Sequence, residues 1–125
     1  MLDIRTLTRA EEEIMRILWQ LKKAYVKDVI AEMPEPKPAY NTVSTIIRIL
    51  EKKGVVSYKA YGKTHEYFPL ITEDEYKRFE MKQLIGNYFE GSLPNLVSFF
   101  VNVHDLQPDE MDEILKLIET HKKEN

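Results

Sequence analysis

The chain has 125 residues, 43% of them hydrophobic and 31% charged, with a formal net charge of −3. That length suffices for one compact domain, or for a small domain plus a tail that needs a partner, and it excludes two large independent cores. Composition excludes a disordered chain and a membrane-embedded one, and the absence of cysteine removes disulfides, thiolate metal sites and cysteine nucleophiles.

The opening segment MLDIRTLTRAEEE lacks the basic-then-apolar profile of a signal peptide, and no stretch approaches the roughly 20 apolar residues of a bilayer span. A cytoplasmic protein without membrane insertion is therefore expected. Thr8-Arg9-Ala10-Glu11 has the form of a capping box, and Ile14, Ile17, Leu18 and Leu21 follow on one helical face. The first helix should run from about Thr8 to Lys22, with Trp19 in the core. A second helix carries Val26, Val29, Ile30 and Met33 on one face until the prolines 34, 36 and 38 end it. From about Ala39 to Lys53 the spacing of Val43, Ile46, Ile47 and Leu50 predicts a third helix, with Gly54 placed as a left-handed cap.

Val55-Val56-Ser57-Tyr58-Lys59 and Thr64-His65-Glu66-Tyr67-Phe68 read as strands, and Ala60-Tyr61-Gly62-Lys63 reads as the turn between them. Three helices and a hairpin describe a winged helix-turn-helix. Past Leu70 the character changes. Thr72-Glu73-Asp74-Glu75 again fits a capping box, and Met81, Leu84, Ile85 and Tyr88 predict a long amphipathic helix ending before Gly91. The stretch from Leu93 to Val103 is too apolar for one buried face. Pro108 then opens a last helix, with Met111, Ile114, Leu115 and Ile118 on one side, acidic residues early and His121, Lys122 and Lys123 late. Such excess apolar surface predicts an intertwined dimer.

The expected architecture is thus mainly α with a small β-hairpin: an N-terminal winged helix-turn-helix over residues 1–71 and a C-terminal helical dimerisation segment over residues 72–125. Charge divides near the same place. Residues 1–70 carry net +3 and residues 71–125 net −6, and between Lys37 and Lys63 six basic residues face one acidic residue, Glu51. A basic segment of this kind points to polyanion contact.

At about 100° per residue, Asn41, Thr45, Arg48 and Lys52 fall in a stripe opposite the apolar face of the third helix, flanked by Thr42 and Ser44. In a major groove Asn can pair with adenine, Arg with guanine, and Thr with a thymine methyl or a phosphate. Lys37, Tyr40, Lys53, Tyr61 and Lys63 are the expected backbone and wing contacts, with Lys52 and Lys59 also suited to phosphate. A solvated polar face is the plainer reading of the stripe alone, and a winged helix that docks a protein rather than DNA is the alternative function. The histidines 65, 104 and 121 lack metal-ligand spacing, and the acidic run Asp109, Glu110, Asp112, Glu113 lacks a calcium loop. No hydrolase, phosphate-loop, dinucleotide or zinc-protease motif occurs. No enzyme activity, metal or cofactor is expected.

The run Asn41-Thr42-Val43-Ser44-Thr45-Ile46-Ile47-Arg48-Ile49-Leu50-Glu51-Lys52-Lys53-Gly54, with Leu7-Thr8-Arg9-Ala10-Glu11 and Ile17-Leu18-Trp19 upstream, resembles the BlaI/MecI penicillinase-repressor family across nearly the whole chain. The resemblance implies a homodimeric repressor that binds a palindromic double-stranded DNA operator through its winged helix. Met81, Leu84, Ile85, Tyr88, Leu96, Val97, Phe100, Ile114, Leu115 and Ile118 are then the expected dimer interface. Leu96-Val97-Ser98-Phe99-Phe100-Val101-Asn102 is similar to the region that a membrane-bound metalloprotease sensor cuts in family members, and the matching bond is Phe99-Phe100. Relatives often have Asn where this chain has Phe99, and arginine where it has Ile49. The cysteine-rich tail of the copper-responsive branch is absent.

Overall fold

The computed structural model describes residues 7–124. The first six residues, which open both the expected DNA-binding domain and the segment read as no signal peptide, lie outside the described residues, as does Asn125. Eight elements follow one another: α1 (Arg9–Leu21), α2 (Val26–Ala31), α3 (Tyr40–Lys52), β1 (Val56–Tyr61), β2 (Thr64–Pro69), α4 (Glu73–Phe89), α5 (Leu93–Asn102) and α6 (Pro108–Glu124). They form two compact units, the first ending at Glu80 and the second starting at Met81.

The first unit is built as its sequence pattern dictates. Thr8 caps α1 reciprocally: its Oγ1 accepts the Glu11 N–H at 3.1 Å, and its own N–H donates to Glu11 Oε1 at 2.8 Å. Ile14, Met15 and Leu18 of α1 meet Val29 of α2 and Val43, Ile47 and Leu50 of α3 in a fully buried core, closed beneath the hairpin by Val55, Val56 and Tyr67. Gly54, at φ 83°, turns the chain out of α3 as the left-handed cap demanded.

Two element boundaries differ most from the sequence expectation. α2 closes at Ala31, short of Met33, because the residue before Pro34 is pushed out of helical geometry; the last N–H groups, of Glu32 and Met33, reach back only three residues, to Val29 and Ile30. β1 runs on through Ala60 and Tyr61, so that Tyr61 pairs with Thr64 across a two-residue turn. Gly62 at φ 66° makes that tight turn accessible, and the expected four-residue tip collapses to Gly62-Lys63. A further pairing was invisible to local pattern: Ala24, between α1 and α2, exchanges two backbone hydrogen bonds with Tyr67, at 2.9 and 2.8 Å, and lashes the hairpin to the helices.

The start of α4 belongs to this unit. Thr72 and Glu75 form the expected capping box at 3.0 Å each way. The Trp19 Nε1 donates to the Ile71 carbonyl at 2.9 Å, its ring lies 5.7 Å from that of Tyr76, and the Tyr76 hydroxyl donates to Glu12 Oε2. α4 has no single apolar side, contrary to the amphipathic helix expected. Tyr76 and Phe79 stand on one side, while Met81, Leu84, Ile85 and Tyr88 stand about 80–180° round the axis from Tyr76.

The second unit is wholly helical. Ser92 caps α5 through the Asn95 N–H at 3.1 Å, and the Gln107 N–H donates to Glu110 Oε1 at 3.0 Å at the head of α6. The ring of Phe89 stands 5.7 Å from Phe99, and Phe99 stands 6.1 Å from Phe100. No side chain of α5 or α6 is buried.

Candidate nucleic-acid interface

The buried row Val43, Ile47 and Leu50 fixes the rotation of α3 and thereby aims its other side outward. On that side Asn41, Thr42, Thr45, Arg48 and Lys52 are exposed, and Ser44 is half-buried, accepting a 3.4 Å hydrogen bond from Arg48 Nη2 one turn on. Tyr40 opens the helix, exposed. Ala39 supplies no side-chain cap to α3.

A cleft of about 530 Å³ separates α3 from the hairpin, and it brings Tyr40, Ser44 and Arg48 to the same space as Lys63, Thr64, His65 and Tyr67, floored by Tyr25, Val26 and Lys27 from the head of α2. Three cations, Lys27, Arg48 and Lys63, therefore share one concave surface with several hydroxyls, which is the donor chemistry a phosphodiester accepts from. Burial, followed by the Glu51 carboxylate, raises the pKa of the Tyr67 hydroxyl above its ordinary value, with Arg48 pulling the other way, so the group stays a neutral donor. A second, shallower groove of about 430 Å³ runs along the far flank of α3 between Thr45, Arg48, Ile49, Glu51 and Lys52. Arg48 borders both.

The hairpin is stiffened by rings. Tyr58 stacks on His65 with centroids 4.0 Å apart and planes 9° from parallel, and Tyr61 meets Tyr25 edge-on at 6.5 Å. Lys59 Nζ sits 5.5 Å from the Tyr61 ring centroid. Tyr61 is thus both exposed and fastened to the head of α2, and Lys63 projects from the turn beside it.

Two lysines expected at a nucleic-acid backbone are employed elsewhere. Lys53 Nζ forms an ion pair with Glu11 Oε1 at 2.8 Å, their side chains only 18% and 6% exposed, because the end of α3 packs beside the first turn of α1. Lys37 folds back over the proline run to donate to the carbonyls of Ala31 and Met33, satisfying the end of α2. Conversely, sequence reasoning missed Tyr25, Lys27, Thr64 and His65. The reading of the second helix stopped at its apolar face, and the outward position of Lys27 next to buried Val26 was the available signal.

In the second unit, each residue of the expected interface is exposed or half-buried. Met81, Leu84, Tyr88, Val97, Phe100, Ile114, Leu115 and Ile118 are exposed, with Ile85 and Leu96 half-buried. A groove of about 470 Å³ is lined by Leu84, Tyr88, Phe89, Leu96, Phe99 and Phe100. The Phe99-Phe100 bond lies within regular helix, in α5. Among the described residues no helix is long and apolar enough to cross a membrane.

Three helices closed by an antiparallel hairpin, with α3 bare on its outward side, define a winged helix-turn-helix. The chain belongs to the penicillinase repressor family, whose model matches residues 7–120. It is 32% identical over 113 residues, 90% of this chain and 92% of the relative, to the methicillin resistance regulatory protein MecI of Staphylococcus aureus strain N315. It is 26% identical over 123 residues to the penicillinase repressor of Bacillus licheniformis, covering 98% of this chain and 96% of that one. Among solved structures, the DNA-binding domain of the repressor BlaI superposes with a TM-score of 0.52 at 28% identity, over 60% of this chain and 93% of that one.

Proposed function

We propose that this chain is a sequence-specific DNA-binding transcriptional repressor that acts as a homodimer on a palindromic operator. The observation that carries the reading is the outward strip of α3, Asn41, Thr45, Arg48 and Lys52, backed by buried Val43, Ile47 and Leu50 and bordered by the cationic cleft. The kinship with MecI and with the DNA-binding domain of BlaI supports it. α3 enters the major groove, where Asn41 and Arg48 have the amide and guanidinium donors that pair bidentately with adenine and guanine. Lys63 at the hairpin turn and Lys52 at the end of α3 neutralise phosphates, and Lys27 joins them from the cleft floor. Occupancy of the operator blocks transcription.

The dimer forms through the second unit. Fully burying an aliphatic or aromatic side chain contributes about 1.5–3 kcal/mol, so covering together those left bare on α4, α5 and α6 opposes the cost of association. Two protomers then present their α3 helices about 34 Å apart, one turn of duplex. Scission of Phe99-Phe100 by a membrane-bound metalloprotease sensor removes part of α5 from the shared core and releases the operator, half of the DNA contacts going with each freed protomer.

Titration of the purified protein with duplex DNA at rising salt tests the reading. Neutralising several phosphates makes log K fall linearly with log salt, by about 0.9 per phosphate. Failure to bind any duplex in dilute buffer, or binding indifferent to salt, removes the DNA reading and leaves a winged helix that docks protein.

A further inference from the structure

One residue on the outward side of α3 does not share the polar chemistry of its neighbours. Val43, Ile47 and Leu50 are buried and Ile46 half-buried, but Ile49 is 40% exposed. It stands about 40° round the axis from Thr45, one turn on, and shares the shallow groove with Thr45, Arg48, Glu51 and Lys52. A branched aliphatic side chain is thus set among hydroxyl, guanidinium, ammonium and carboxylate groups, on the face that the DNA reading puts against base edges.

The major-groove edges of adenine, guanine and cytosine present hydrogen-bond donors and acceptors there, whereas thymine adds an apolar methyl at C5. An aliphatic chain pressed against a polar edge strips its water without offering a hydrogen bond in return, which is unfavourable. Pressed against the thymine methyl, it removes two apolar surfaces from water together. The same side chain therefore rewards one base and penalises the others, and discrimination of both signs is how a contact becomes specific.

We propose that Ile49 reads the 5-methyl group of a thymine in each operator half-site, beside the base that Arg48 faces. The inference rests on the DNA-binding reading above, and it names what that reading leaves open: a fixed base, recognised by apolar contact rather than by hydrogen bonding.

The test uses the full chain and two random-sequence duplex libraries, one made with thymine and one with uracil, which pairs identically but lacks the methyl. Wild-type protein selects from the first library a twofold motif with thymine at a fixed position. From the second it selects the same motif with the preference at that position lowered about fourfold, the value of one methyl group removed from water. Ile49→Ala, an exposed substitution whose folding is checked by its urea midpoint, selects indistinguishable motifs from both libraries. Equal preference for thymine and uracil by the wild type overturns the proposal. So does a methyl preference that survives in Ile49→Ala, which would move the contact to another residue such as Thr45. Absence of any enriched sequence from either library is a separate failure, that of DNA binding itself, and takes this proposal with it.

Discussion

In the unit that ends at Glu80, Ile14, Leu18, Val43, Ile47 and Leu50 have no exposed surface, whereas beyond Met81 no described side chain is buried and Tyr88 and Leu117 stand 78% and 71% exposed. Both units are rich in apolar residues. The difference lies in what each can fold against. Three helices crossing beneath a hairpin enclose a volume, while the helices beyond Met81 leave most of their apolar residues open. The first unit is a scaffold with its own core that aims α3, and the second carries the apolar surface assigned to the proposed dimer.

The largest expected effect breaks that contrast directly. Val97→Asp combined with Ile118→Asp sets carboxylates in the surface proposed to be shared, where burial without a partner is strongly unfavourable. Dimerisation measured by sedimentation should weaken at least 100-fold, with operator affinity falling in step and the first unit still melting cooperatively. A doubly substituted chain that remains dimeric at micromolar concentration would show that the second unit closes in another way.

Next is Lys53→Ala, which leaves the Glu11 carboxylate nearly buried without its cation. Losing one partner of such a pair costs about 3 kcal/mol, read as a lower urea midpoint. A fall of under 1 kcal/mol would return Lys53 to the list of phosphate contacts. Arg48→Ala should instead leave stability alone and weaken operator binding by about 1–3 kcal/mol if the side chain reads a base. An equal loss on every duplex would make it a phosphate contact facing the cleft.

The smallest effect belongs to Tyr76. Burial and then the hydrogen bond to Glu12 hold the pKa of its hydroxyl above the ordinary value of 10.0. The raised value favours the neutral form in the folded chain, so its contribution is complete below pH 10 and fades as the solution becomes more alkaline. Tyr76→Phe should cost about 1 kcal/mol at neutral pH and flatten the alkaline decline of the melting temperature. An identical decline in both proteins would assign it to other groups.

The same contrast explains what could be read before the structure. The 3.6-residue spacing of Val43, Ile47 and Leu50, the Thr8 and Thr72 capping boxes and Gly54 each report on a neighbourhood of a few residues, and each was legible. So was the outward strip of α3, since the position of its buried row decides it. Ion pairing between Lys53 and Glu11 joins residues 42 apart in sequence, and the Ala24–Tyr67 bridge joins two elements that share no local pattern. Such long-range pairing is set by how helices cross, which composition and periodicity do not specify. Lys53 looked like Lys52 for that reason, and only packing separates them. The change of side along α4 escaped in the same way: Tyr76 packs against Trp19, far away in sequence, while Met81, about 140° round the helix axis, stays exposed.

Glu11 ends with an unusual position in this molecule. One carboxylate closes the amino end of α1 on Thr8 and, through Lys53, holds the carboxyl end of α3. The end of the reading helix is thereby tethered to a buried residue in the first turn of another helix. Substitutions there would alter which sequences the protein prefers by re-aiming an intact set of contacts, so variation in operator choice among related chains need not be written on the surface that touches DNA.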